Sequence, residues 1–129
     1  MDLEKNNVIY SARAVAYLGD AVFELCAREY LVKKGYSDAA KLNSEAKKLV
    51  SASAQAQIAK TLLESLTDEE IAFYKKGRNL GHSQTSKNIT PTEYRVATGL
   101  ETLFGELYLR GRTERIGELF EAAVTDSAH

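Results

Sequence analysis

The sequence predicts an all-α protein of about seven helices, and three observations carry that expectation. Only one proline, Pro91, occurs in 129 residues. Helix interiors exclude proline, because it has no amide proton and clashes with the preceding turn. No β-branched run alternates apolar and polar residues, so no strand is expected. Short polar signatures of helix ends recur along the chain, two of them complete capping boxes.

In order, a short helix is expected near Asn7–Tyr17. A second is expected near Leu18–Lys34, with Leu18, Ala21, Val22, Leu25 and Cys26 as its apolar stripe. The two can be one continuous helix. Lys33 and Lys34 followed by Gly35 form a C-terminal signal. Ser37 or Asp38 then caps a helix to about Leu49, and Ser51 caps the next, with Ala54, Ile58, Leu62 and Leu63 inward. Thr67-Asp68-Glu69-Glu70 is a capping box opening a helix that ends near Gly77. Residues Gly77–Thr90 read as a long polar loop, a length more often functional than accidental. Thr90-Pro91-Thr92-Glu93 is a second capping box with proline at the favoured first position, and its helix reaches about Arg110. Its stripe is Val96, Leu100, Leu103, Phe104 and Leu107. Gly111 ends it, and a last helix covers about Thr113–Val124.

Length bounds the chain at one domain, expected over residues 1–129. Seventeen Lys+Arg against eighteen Asp+Glu give a net charge of −1, which argues against a uniformly basic coat but not against local patches. One cysteine, Cys26, excludes an internal disulfide and a cysteine-built zinc site; on its apolar stripe it reads as a core thiol. No apolar run is long enough to span a membrane and no signal peptide is read, so a cytoplasmic setting is expected.

Gly19, Gly99 and Gly105 fall inside helical patterns, each at a cost of about 1 kcal/mol relative to alanine. Close helix–helix approach is the natural compensation, so the helix of Gly19 and the helix of Gly99 and Gly105 are expected to be neighbours. Asp20 follows Gly19, Glu24 lies one turn on, and Glu101 lies one turn before Gly105. If the helices meet at the glycines, Asp20 and Glu101 converge. Opposed carboxylates repel unless a cation lies between them, and a hard divalent cation such as Mg²⁺ suits oxygen ligands and phosphodiester hydrolysis. The bland alternative stays open: Glu24 and Arg28 are four apart and can form a surface ion pair, and Asp20 can pair with Arg13.

Between Lys75 and Arg95, five cations (Lys75, Lys76, Arg78, Lys87, Arg95) face Glu93 alone, a local net charge of +4. Asn79, Ser83, Gln84, Thr85, Ser86 and Asn88 add neutral donors, a mixture suited to nucleic-acid phosphates and 2′-hydroxyls. A second cluster, Lys33, Lys34, Lys41, Lys47 and Lys48 against Asp38 and Glu45, carries +3. His82 has no nucleophile arrangement around it. Gln55 and Gln57, in an alanine-rich helix, can face a ligand. Tyr17, Tyr30, Tyr94 and Tyr108 read as half-buried core or interface.

Tyr17-Leu18-Gly19-Asp20-Ala21-Val22-Phe23-Glu24 resembles the signature helix of the ribonuclease III catalytic domain, and Thr98–Leu109 resembles that family's second metal-binding helix. Leu49–Ala56, Lys76-Gly77-Arg78-Asn79, Lys87-Asn88 and Tyr94-Arg95 resemble the short branch, Mini-ribonuclease III. The resemblance implies an all-helical endonuclease acting as a homodimer on double-stranded RNA, with Mg²⁺ or Mn²⁺, and leaving 5′-phosphate ends. It implies Asp20 and Glu101 as metal ligands; Glu24, one turn from Asp20, can help, and the basic stretch offers Lys75, Lys76, Arg78, Asn79, Lys87, Asn88 and Arg95 as expected RNA contacts. It further implies trimming of precursor large-subunit ribosomal RNA, with a ribosomal protein assisting, and no separate double-stranded RNA-binding domain. One departure stands out. Arg13, Ala16 and Thr98 occupy positions where ordinary ribonuclease III carries further acids, which points to one principal metal and leaves a non-catalytic RNA-binding module as the alternative.

Overall fold

The computed structural model describes residues 9–80 and 90–127. Among them are six α-helices and no strand: α1 (Ala12–Lys33), α2 (Ala39–Val50), α3 (Ala52–Leu62), α4 (Asp68–Arg78), α5 (Pro91–Leu109) and α6 (Thr113–Ser127), with a 3₁₀ turn at Leu63–Ser65 after α3. The all-helical expectation holds.

Polar side chains set the helix starts. Ser11, Asp38 and Ser51 each accept an amide of the first turn, and the capping boxes at Thr67/Glu70 and Thr90/Glu93 are both complete. Gly35 and Gly111, with φ of +103° and +74°, carry the chain out of α1 and α5 in a conformation that side chains resist.

Three expectations change. The first two helices are one, α1, beginning at Ala12 rather than near Asn7. Its stripe is also rotated. Of Leu18, Ala21, Val22, Leu25 and Cys26 only Val22 is buried, and the inward set is Val15, Ala16, Gly19, Val22, Phe23, Ala27 and Leu31. Apolar residues surround most of α1, so hydrophobic periodicity alone cannot choose a face; contact at Gly19 does. Gly77, expected at a helix end, lies inside α4 and is a contact residue. A Cβ there would stand 2.2 Å from Thr102 Oγ1 and 2.6 Å from the Thr98 carbonyl oxygen.

Helix α5 is the hub, packed by α1, α3, α4 and α6. Its predicted stripe is correct: Leu100, Leu103, Phe104 and Leu107 are buried, with Val96 at the margin. Phe23 of α1 meets Phe104 of α5 and Phe120 of α6 edge-on at 5.3 and 5.4 Å, a geometry that suits the ring quadrupoles. On the far side of α5, buried Glu106 is held by Lys76 (3.2 Å) and Arg110 (3.3 Å). Buried Glu70 of α4 accepts from Arg115 of α6 at 2.8 and 2.9 Å. Among the described residues no helix is long and apolar enough to cross a membrane.

Candidate active site

The α1–α5 crossing brings backbone against backbone. A Cβ on Gly19 would lie 1.6 Å from the Glu101 carbonyl oxygen, and one on Gly105 would lie 2.2 Å from the Val15 carbonyl oxygen. No larger residue fits at either position without parting the helices. Gly19 and Gly105 therefore do what their placement in the sequence suggested, whereas Gly99 faces a different neighbour, the Tyr74 ring of α4, where a Cβ would come within 2.7 Å.

Asp20 follows one contact glycine and Glu101 supplies the contact carbonyl, so their side chains open into one pocket of about 200 Å³, lined also by Arg13, Ala16, Tyr17, Leu80, Tyr94 and Thr98. Burial, and then the charge of Asp20, push the Glu101 carboxyl up to about 8; the side-chain amide of Gln55 opposes this by favouring the ionised form. Two carboxylates in one pocket, one resisting ionisation, form an oxygen donor pair that a divalent cation would relieve. Among the described residues no group of three His, Cys, Asp or Glu comes together as a metal cage. The three positions lacking the further acids, Arg13, Ala16 and Thr98, line this same pocket. The Thr98 hydroxyl proton is spent on the Tyr94 carbonyl at 2.9 Å.

Glu24 does not line this pocket. Its carboxylate pairs with Arg28, the bland alternative read from their spacing, and both border a neighbouring groove on the open face of α1.

The basic residues divide. Arg78, Asn79 and Arg95 line a groove of about 330 Å³ that shares Leu80 with the carboxylate pocket. Arg78 is steadied there by the Tyr74 ring, 5.9 Å from its guanidinium carbon, and by Asn79 Oδ1. Lys75 is exposed on α4. Lys76 is turned toward Glu106 and the Phe73 ring. Lys87, Asn88 and His82 lie outside the described residues. In the second basic cluster Lys41 and Lys48 both pair with Glu45. Cys26 is only half-buried, bordering a groove between α1 and α6, and burial raises its thiol pKa. Of the two glutamines, Gln57 is exposed and Gln55 is buried beside Glu101.

Comparison with known proteins finds relatives along most of the chain. A family model described as the ribonuclease III domain matches residues 13–112. The chain is 38% identical to Mini-ribonuclease 3 of Brevibacillus brevis, over 95% of this chain and 91% of that one. It is 45% identical to Mini-ribonuclease 3 of Enterococcus faecalis, over 82% of each. A crystal structure of a Fusobacterium nucleatum protein superposes with a TM-score of 0.83 at 29% identity, covering 98% of this chain and 99% of that one. The residues matched span both helices of the glycine-gauged crossing, and the chain belongs to the ribonuclease III domain family, within its Mini-ribonuclease 3 group.

Proposed function

We propose that this chain is a metal-dependent endoribonuclease that hydrolyses phosphodiesters of double-stranded RNA, with Asp20 and Glu101 holding one Mg²⁺, or Mn²⁺ in its place. One observation carries the reading: two carboxylates from different helices share a pocket in which Glu101 is pushed up to about 8, so a cation is the partner that pocket wants. When bound, the ion supplies Lewis-acid chemistry, acidifying water and offsetting charge that develops on the phosphate.

The chain's own residues do the rest. Asp20 and Glu101 would hold that ion beside the scissile phosphate, which as bare carboxylates they would repel. Arg78, Asn79 and Arg95 hold adjoining phosphates in the groove that meets the pocket at Leu80, with Lys75, Lys87 and Asn88 extending that grip. Such contacts read the shape of an A-form duplex rather than its sequence. Tyr17, Leu25 and Val32 are 84%, 66% and 60% exposed on the outward face of α1. This apolar stripe supports a homodimer, which would set two sites along one duplex for a double-strand cut leaving 5′-phosphates. The reading extends to maturation of precursor large-subunit ribosomal RNA in the cytoplasm, with a ribosomal protein shaping the substrate.

The test is incubation with a long RNA duplex, with and without Mg²⁺, followed by mapping of the ends. Mg²⁺-dependent cuts with 5′-phosphate ends are expected. Binding without cleavage would favour the second reading, an RNA-binding module without chemistry, motivated by Ala16 and Thr98 in the pocket. A monomeric mass at micromolar concentration would count against the two-strand cut.

A further inference from the structure

We propose that Arg13 is a catalytic residue: its guanidinium contacts the scissile phosphodiester in the pocket of Asp20 and Glu101, as a cation built into the chain. The inference rests on the reading of that pocket as a metal-dependent nuclease site.

Two helices line the pocket with matching periodicity. Helix α1 supplies Arg13, Ala16, Tyr17 and Asp20, and α5 supplies Tyr94, Thr98 and Glu101. Spacings of three, four and seven put each set on one helix face. Arg13 stands two turns before Asp20, and Ala16 between them has only a methyl to fill the space. Ser11 Oγ accepts the Ala14 amide at 3.1 Å, so the backbone at Arg13 belongs to a capped helical turn. Among the described residues Arg13 is the only base that lines this pocket.

Helix formation does not ask for an arginine there. A first turn presents uncovered amide protons and the positive end of the helix dipole, which favour acids and oppose cations. Helices α4, α5 and α6 accordingly open with acids. Helix α1 has none in its first turn and carries Arg13 instead. The charge is accounted for by the pocket. With both carboxylates ionised and one divalent ion bound, the acids and the ion cancel, and Arg13 leaves a single positive charge to meet one phosphodiester. A guanidinium suits that task, because it stays protonated and its paired N–H donors match two phosphate oxygens. In the hydrolysis, the water oxygen bonds phosphorus and the bond to the 3′ oxygen breaks. One water proton ends on that oxygen as the 3′-hydroxyl, and the 5′ product keeps the phosphate. Arg13 exchanges no proton; it stabilises charge growing on the oxygens that do not leave.

The experiment compares the wild type with Arg13→Gln, Arg13→Lys and Arg13→Glu by single-turnover cleavage of a long RNA duplex at saturating Mg²⁺, Mn²⁺ calorimetry and a thermal melt. Arg13 is exposed, so Arg13→Gln is expected to melt as the wild type does. It should bind Mn²⁺ no more weakly and cleave about a hundredfold more slowly at saturating duplex. Arg13→Lys, which keeps the charge without the fork, should recover part of that loss, and Arg13→Glu should lose more than Arg13→Gln. A wild-type rate in Arg13→Gln would overturn the proposal. A slower rate that comes with weaker Mn²⁺ binding would overturn it too, because Arg13 would then act through the ion's site. So would an Arg13→Glu that takes up an additional Mn²⁺ and keeps its rate, which would make position 13 a metal position. If Arg13→Gln does not fold, Arg13→Met is expected to show the same loss, and a wild-type rate there overturns the proposal equally. Failure of the wild type to cleave with any divalent ion would instead remove the nuclease reading itself, and Arg13's part in it.

Discussion

Glu101 and Glu106 stand five residues apart on α5 and look toward opposite neighbours. Glu106 turns to the α4 side, where Lys76 and Arg110 close on it and the Phe73 ring packs beneath both cations. Glu101 turns to the α1 side, where its neighbours are the carboxylate of Asp20 and a neutral amide, and its carboxyl is pushed up to about 8. A buried acid ringed by bases is already satisfied and belongs to the architecture. An acid set against another acid is unsatisfied by the protein alone, and that deficit marks the side of the helix where chemistry is expected.

The largest expected effect falls on the acid–acid side. Asp20→Asn or Glu101→Gln should lower Mg²⁺-dependent cleavage about a thousandfold or more, since several kcal/mol of charge stabilisation would be lost. Neither should lower the melting temperature of the metal-free protein near neutral pH, because each removes or eases the proton uptake that the raised Glu101 carboxyl demands on folding. Full cleavage by Asp20→Asn would end the metal assignment. Next in size, Gly19→Ala should destabilise by roughly 3 kcal/mol, because its methyl would occupy the Glu101 carbonyl and force the helices apart. Urea unfolding measures this, and loss of cleavage in the folded fraction would tie the crossing to the site.

On the acid–base side, Glu106→Gln should cost roughly 1–3 kcal/mol in urea, since Lys76 and Arg110 can still turn toward water, and should leave kcat almost unchanged. The reverse pattern, intact stability with lost cleavage, would invert the distinction drawn between the two glutamates.

The two kinds of acid should also respond to pH with opposite sign. Without metal, folded Glu101 keeps its proton up to about pH 8, whereas the unfolded chain releases it in the ordinary carboxylate range. Between those values the folded state binds more protons, so its stability falls as pH rises. Glu70 is held below the usual range by Arg115, so its contribution is complete above that range and is lost as pH falls through its folded value. Urea stability in chelator across pH should show both trends. Glu101→Gln should flatten the first and Glu70→Gln the second; an unchanged fall between the carboxylate range and about pH 8 in Glu101→Gln would show that another group drives it. The smallest effect is expected in the groove: Arg95→Ala should weaken duplex binding modestly and lower its salt dependence by about one counterion, while Lys76→Ala should act on stability instead.

Much of this arrangement is legible in the sequence, for physical reasons that differ by residue. Helix starts are local chemistry, so Asp38, Ser51, Thr67 and Thr90 announce them, and both capping boxes form as read. Gly19 and Gly105 announce a close crossing because a glycine in a helix needs a reason, and Asp20 and Glu101 follow from it. The buried face of α1 is not legible: Leu25 and Cys26 suit a core as well as Ala27 and Leu31, and only the tertiary contact at Gly19 decides. Nor is the division between Lys76 and Arg78. Both belong to one basic run, yet which of them is committed to Glu106 depends on how α4 lies against α5. Gln55 and Gln57, in an alanine-rich helix, read alike as able to face a ligand; only burial separates them, with Gln55 inside and Gln57 exposed.

The contact between Gly19 and the Glu101 carbonyl has one more consequence, for tolerance in the engineering sense. A spacing set by side-chain packing drifts whenever the core is repacked, because methyl groups can be added, lost or rotated. The spacing at this crossing is a hard stop of main chain on main chain, and the two acids sit on the parts that touch. Their separation is therefore decoupled from the apolar residues elsewhere in the bundle, which can vary in size and shift the domain's melting point while the jaws of the site keep their gauge.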